Sequence, residues 1–178
     1  MTDAEAAEAP GWHPNVSRVL DAAAGQGLAI EIRRFPEGTR TAADAARAVG
    51  CSVGQIVKSL VFVADDGPIL VLVSGADRAD LDLLSSALQP SGSAGRTAIR
   101  RATADEARDA TGFSIGGIPP IGHARPLPVV IDEGLLRHEV VWAAAGLPDA
   151  VFAVAPADLA RATRARVVAI ATGGPPAG

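Results

Sequence analysis

Tyrosine is absent from this chain, and cysteine, methionine and lysine each occur once among its 178 residues. Each scarcity removes a class of chemistry. A single cysteine, Cys51, permits neither a disulfide framework nor a cysteine-based zinc quartet, which makes a reducing, cytoplasmic compartment the default expectation. With no histidine near it in the sequence, Cys51 reads as a small packing residue rather than a nucleophile. His13, His123 and His138 stand far apart without metal-ligand spacing, and no Gly-x-Ser-x-Gly elbow is present. No metal, no cofactor and no serine-hydrolase triad are therefore expected. Long apolar runs are missing too. Mean hydropathy is +0.25, yet the apolar residues fall in short runs broken by Gly, Pro and charge, well under the roughly 20 residues needed to cross a bilayer. Met1 to Trp12 is Ala- and Glu-rich and lacks the basic start and apolar centre of a signal peptide. A formal charge of −4 argues against broad nonspecific binding to nucleic acid, while leaving room for a local basic patch.

What is present is dominated by one residue. Lys58 is the only lysine, the other 15 of the 16 basic residues being arginine. An ammonium is a compact point charge with three rotatable donors, whereas guanidinium is a wide planar fork. A tight pocket holding one oxyanion or carbonyl oxygen would accept the first and reject the second. The alternative is a lysine left by chance on a solvated face. Its neighbours bear on the choice: Val57 to Ala64 and Ile69 to Ser74 are Val- and Leu-rich runs separated by Asp65, Asp66, Gly67 and Pro68, the pattern of a hairpin buried on both faces. Lys58 thus stands at the head of a core strand, with Pro68 in an edge-tolerant position of the second strand.

At this length a single domain with a sizeable core is expected. The spacing predicts a helix over Asn15 to Gly27, a half-buried strand over Leu28 to Phe35, and helices over Thr41 to Val49, Asp80 to Leu88, Thr103 to Thr111 and Ala157 to Ala162. Further strands are predicted at Arg96 to Arg101, Val129 to Ile131, Glu139 to Ala143, Ala150 to Val154 and Ala165 to Ala171, with Ser74 to Arg78 a polar loop. Residues 1–14 and 172–178 are read as flexible ends of a domain spanning 15–171. Helices and strands alternate without repeated β-α-β units, so the fold class is α+β, a mixed or antiparallel sheet with flanking helices.

Two stretches stand out beyond Lys58. Arg96, Arg100, Arg101 and Arg108 gather within 13 residues; they are a phosphate contact or a solvated face, and dilution by Asp105, Glu106 and Asp109 favours the solvated face. Thr111 to Gly122 carries glycines at 112, 116, 117 and 122 around Pro119 and Pro120, a backbone both bent and stiff. It fits neither a phosphate loop nor the dinucleotide fingerprint. It is either a rigid turn or a surface presenting main-chain groups to a ligand. His123, directly after it, reads as a surface or structural hydrogen-bonding residue.

Taken in order, these pieces resemble the YbaK/EbsC family, the aminoacyl-tRNA deacylase or prolyl-tRNA synthetase-associated editing domain. The residues that carry the resemblance are Val57-Lys58-Ser59-Leu60-Val61-Phe62, Gly75-Ala76-Asp77-Arg78, and Ala102 to Glu106 leading into Thr111 to Gly122. Val129 to Glu133, Ala144-Ala145-Gly146 and Ala155 to Leu159 extend it, so that it covers Val16 to Ala171. It implies hydrolysis, in trans, of the ester joining a wrong amino acid to the 3′ end of a transfer RNA, with Lys58 as the residue required for activity. It also implies substrate contacts from Phe35, Ser59, Asp77, Arg78, Gly116, Gly117, Pro119, Gly122, Ala144 and Gly146. The implied partners are the aminoacyl-tRNA 3′ end and a synthetase such as prolyl-tRNA synthetase, with no membrane. Phe35 stands where a tyrosine is often found, and Ala144 where some cysteine-editing members carry serine, so the amino acid edited is not fixed by the resemblance. Phe62, Ile115 and Ile118 are further candidates for pocket walls. The chemistry agrees: ester hydrolysis needs charge stabilisation and a positioned water more than a protein nucleophile. The competing expectation is a binding or regulatory module that keeps the pocket without turnover.

Overall fold

The computed structural model describes residues 11–35, 39–93 and 95–173. Ten strands and five α-helices among them form three sheets. The largest is mixed, in the order β5-β2-β3-β6-β9 (Arg100–Arg101, Val57–Ala64, Gly67–Ser74, Val129–Asp132 and Arg166–Val168). A second, antiparallel sheet has the order β1-β8-β7 (Ile32–Arg34, Ala150–Val154 and Val141–Ala144). The third pairs β4 (Asp77–Ala79) with β10 (Ala171–Gly173). The α+β class with mixed and antiparallel sheets and flanking helices is what the sequence predicts.

The hairpin of β2 and β3 is the centre. Leu70, Val71, Leu72 and Val73 are each 0% exposed, because both faces of β3 are covered. Val57, Val61, Leu70 and Leu72 pack with Val16 and Val19 of α1 (Pro14–Gly25), Ala107 of α4 (Ala104–Thr111), Leu159 of α5 (Pro156–Thr163) and Phe152 of β8. On the other side Phe62, Ile69, Val71 and Val73 pack with Leu84 of α3 (Leu81–Leu88). Each Val, Leu, Ile or Phe side chain among them contributes about 1.5–3 kcal/mol of burial. Pro68 is tolerated inside β3 because β6 pairs only with Leu70 to Leu72, so no ladder bond is lost there.

Helix ends follow their caps. Thr41 and Thr103 each form a capping box, with Asp44 opening α2 (Ala42–Val49) and Glu106 opening α4, and Gly50 and Gly112 close these helices in the left-handed conformation. Strand extents depart from expectation where a tertiary contact intervenes. β1 begins only at Ile32, since the Leu28 N–H is already given to the Ala23 carbonyl at the end of α1. β5 keeps two residues of the expected six; upstream, the Thr97 carbonyl is held by Ser85 of α3. The strand expected at Ala165 to Ala171 divides between two sheets. Asp132, 4% exposed, accepts the N–H groups of both Ile170 and Ala171 at 2.9 Å and turns the chain away from β6. The chain then pairs as β10 with β4, a strand where a polar loop was expected. Thr172 and Gly173, expected in the tail, belong to this pair, while residues 1–10 and 174–178 lie outside the described set.

Candidate functional site

β2 is paired along its full length with β3, but β5 covers only Phe62 and Val63 on its other edge. Gly75 N–H donates to the Ile56 carbonyl, so by antiparallel alternation the main-chain groups of Lys58, Leu60 and Phe62 point to β3. Those of Val57, Ser59 and Val61 point the other way, as the bond from Ala102 N–H to the Val61 carbonyl confirms. Between the parallel bridge of Ile56 to Trp142 of β7 (Val141–Ala144) at its start and the Val61 bond, this edge of β2 has no strand partner. Along it runs a cleft of about 340 Å³ whose wall includes five consecutive β2 residues, Val57 to Val61.

Lys58 enters this cleft half-buried. Its Nζ donates to the main-chain carbonyl of Asp77 in β4, which leaves two N–H donors for other partners. Burial pushes the Lys58 ammonium below the ordinary lysine value of 10.5; nearby Asp77 pulls it up, and Arg101 and Arg78 push it down. Ser59, next in the strand, holds the one buried side-chain polar atom among the described residues that lacks a protein hydrogen-bond partner, its Oγ. A hydroxyl left so costs about 1–3 kcal/mol, which a ligand or water acceptor would recover.

The glycine loop supplies the facing side and divides into a front and a back. Ile115, Gly116 and Ile118 line the cleft, Ile115 being 55% exposed. Gly117 is buried with its would-be Cβ 2.9 Å from the backbone of Leu147, so only glycine fits. Pro119 gives its carbonyl to His123 Nε2 at 2.7 Å, which fixes the imidazole tautomer, and burial holds His123 below the usual histidine range. The Arg18 guanidinium, 4.4 Å over the Phe113 ring, donates to the carbonyls of Thr111, Gly112 and Gly122 and so ties the two ends of the loop together. Gly146, at φ +94°, packs on Asn15 and receives the Asn15 side-chain amide on its carbonyl.

The expected site residues thus separate. Lys58, Ser59, Gly116 and Ala144 line the cleft, and Asp77 meets it through its carbonyl. Arg78 acts on Lys58 through its field. Gly117, Pro119, Gly122 and Gly146 brace the loop from behind. Phe35 is half-buried outside the lining, its N–H given to the Asp149 carbonyl. Of the wall candidates Ile115 and Ile118 line the cleft, while Phe62 faces the opposite core.

Sequence reasoning missed Trp142, Arg40 and Arg101, all in the lining. Trp142 is the one aromatic ring there. It shares a face of β7 with Ala144, and Arg33 of β1 lies 4.9 Å over its ring. Since alternation puts residues two apart on one face, the assignment of Ala144 already pointed to Trp142. A larger, more open concavity of about 680 Å³ lies elsewhere, between the end of α1, residues 120–129 and the end of α5, and contains none of the expected substrate contacts but Gly122. Among the described residues no cluster of His, Cys, Asp or Glu could hold a metal, and no helix is long and apolar enough to cross a membrane.

Comparisons with known proteins bear on the family and the fold of the chain. A crystal structure described as a candidate trans-editing enzyme for prolyl tRNA synthetase superposes with a TM-score of 0.82 at 44% identity, covering 91% of this chain and 99% of that one. A candidate Cys-tRNA(Pro)/Cys-tRNA(Cys) deacylase, EbsC of Enterococcus faecalis, is 25% identical over 139 residues, 78% of this chain and 81% of its own. A proline–tRNA ligase of Acidithiobacillus ferrooxidans is 32% identical over 109 residues, 61% of this chain but only 18% of the ligase. The model of the aminoacyl-tRNA editing domain matches residues 36–162, and with the YbaK/EbsC-like relatives it shows that this chain belongs to the aminoacyl-tRNA editing family.

Proposed function

We propose that the chain is a freestanding hydrolase that removes a wrongly attached amino acid from transfer RNA, with the substrate's 3′ end in the β2 cleft. The observation that carries this reading is one strand edge lining the cleft with a half-buried ammonium, Lys58, on one face and an unpartnered buried hydroxyl, Ser59, on the other. About 340 Å³ is room for a small ligand of this kind. Water adds to the ester carbonyl, and the tetrahedral intermediate then expels the ribose oxygen, releasing the amino acid and a free 3′ end. Lys58 stabilises the developing oxyanion or orients the terminal ribose, and Ser59 and Gly116 position the acyl group. Arginine at position 58 would crowd the Asp77 carbonyl that seats the ammonium.

Among the described residues no carboxylate or imidazole lines the cleft. This specific feature favours the one competing reading, a module that binds an aminoacyl end without turnover. It is also compatible with hydrolysis, since the ester is already activated. A synthetase partner, such as prolyl-tRNA synthetase, and a cytoplasmic location follow from the same reading.

The test is deacylation of a panel of mischarged transfer RNAs by the purified chain, with Lys58→Ala and Lys58→Arg in parallel. At least one substrate should be cleaved, and both variants should fail on it. Equal activity in wild type and variants, or none in any, overturns the proposal. Saturable binding of an aminoacyl-adenosine analogue without turnover would establish the binding module instead.

A further inference from the structure

Three of the four arginines clustered at 96–108 are already engaged. Arg96 pairs with Asp82 at 2.7 Å, Arg100 grips both Glu106 oxygens at 2.7 and 2.8 Å, and Arg108 donates to Ser114 Oγ at 2.9 Å. Glu106, held by Arg100 and by the Thr103 N–H, is pushed down to about 2 and stays ionised. Arg101 differs. Strand alternation sends it to the face opposite Arg100, and among the described residues its guanidinium has neither a carboxylate nor any other acceptor. Its backbone is fixed, paired with Phe62 and followed by the bond from Ala102 N–H to the Val61 carbonyl. The side chain lines the cleft near enough to Lys58 to be felt by its ammonium.

Among the described residues the lining carries three cations, Arg40, Lys58 and Arg101, and no carboxylate, in a chain with net charge −4. This excess of positive charge is not explained by an amino acid ester, whose carbonyl is neutral and whose α-amine is itself partly cationic near neutral pH. The negative charge on an aminoacyl-tRNA end lies on its phosphodiesters. A planar five-donor fork matches a phosphate's paired oxygens, as a single ammonium does not.

We infer that Arg101 grips a backbone phosphate of the single-stranded 3′ end, a positioning contact separate from the ester chemistry assigned to Lys58. The inference rests on the reading that the cleft takes an aminoacyl-tRNA, and deepens it by dividing the site into a phosphate clamp and an ester-facing ammonium.

The experiment is a salt series of equilibrium binding between the full chain and a fluorescent RNA hairpin ending in single-stranded CCA, using wild type, Arg101→Ala, Arg101→Lys and Arg100→Ala. Loss of one phosphate contact should weaken binding by about tenfold at low salt and make the slope of log affinity against log salt shallower by about 0.7. Arg101→Lys should restore the slope but only part of the affinity, and Arg100→Ala should leave the slope unchanged. In hydrolysis, Arg101→Ala should raise KM for the full substrate with kcat little changed, and should match wild type on a phosphate-free aminoacyl-adenosine. Absence of wild-type binding, an unaltered slope in Arg101→Ala, or an equal change in Arg100→Ala overturns the clamp. If wild type binds the hairpin with the expected slopes but cleaves no mischarged transfer RNA, the clamp stands and the hydrolase reading fails.

Discussion

The first half of β2 and the loop from Gly112 to Gly122 wall the same cleft in opposite ways. On β2 the polar groups are left over: the main-chain groups of Ser59 point away from β3, its hydroxyl has no partner, and the Lys58 ammonium has donors to spare. At the ends and back of the loop they are spent. The carbonyls of Thr111, Gly112, Pro119 and Gly122 all carry hydrogen bonds from within the fold. The strand therefore keeps side-chain donors free for a ligand, while the back of the loop supplies shape. Glycine-richness beside a pocket is thus not by itself a sign of ligand contact, since Gly117 and Gly146 are glycine because neighbouring chain lies under 3 Å from where a Cβ would stand.

Substitutions can break this comparison. The largest effect is expected at Lys58, where removing a charge-stabilising donor typically costs about 10²–10³ in rate; Lys58→Ala should lose this in single-turnover deacylation while its thermal melt stays near wild type. Next comes the back of the loop. Gly117→Ala drives a methyl into the Leu147 backbone and should cost about 1–3 kcal/mol in a denaturant titration, with activity falling in step. Gly116→Ala, at φ +96° with no atom nearer than Pro148 Cγ at 4.0 Å, should cost about 1 kcal/mol. An equal cost at both positions would erase the distinction between front and back. Ser59→Ala should separate the two walls by sign: it deletes an unpartnered hydroxyl, so stability should hold or rise, while the loss of one substrate hydrogen bond of about 1 kcal/mol lowers kcat/KM roughly fivefold.

The smallest effect is a displacement in pH. Because burial depresses the Lys58 ammonium, its proton is lost at a lower pH than from a free lysine, and kcat/KM should fall on the alkaline side below 10.5. Asp77 favours the charged form, so Asp77→Asn should move that limb to still lower pH. Arg101→Ala, which removes a repelling cation, should move it up. Rates corrected for spontaneous ester hydrolysis across pH 7 to about 10.5 would show both displacements; shifts of opposite sign would mean the limb does not report Lys58.

The parts legible in the sequence were those decided locally. α2 and α4 could be placed from Thr41 with Gly50 and from Thr103 with Glu106, since a capping box and a left-handed glycine act within one turn of helix. The β2-β3 hairpin was legible because its turn is adjacent in the chain. β4 was not, because its partner is the distant β10 and its own three residues have no strand-like pattern. In the site, Lys58 stood out by composition alone. Arg101 was masked by its company: four arginines diluted by acids look like one solvated patch until pairing shows which of them is left over. Phe35 is the reverse case, a position inferred from family order whose ring falls outside the cleft lining.

The buried carboxylate of Asp132 reaches further than its own surroundings. By turning Ile170 and Ala171 it delivers β10 to β4, and β4 carries the carbonyl on which the Lys58 ammonium rests. The seat of the Lys58 ammonium is thus underwritten by the last described strand of the chain, beyond residue 162 where the family match ends. A fragment trimmed to the matching stretch would keep the lysine and both core strands, yet lose α1 with the Arg18 tie on the loop and the splint behind β4. A fragment meant to keep that seat should therefore extend at least through Gly173, where the pairing of β10 with β4 ends.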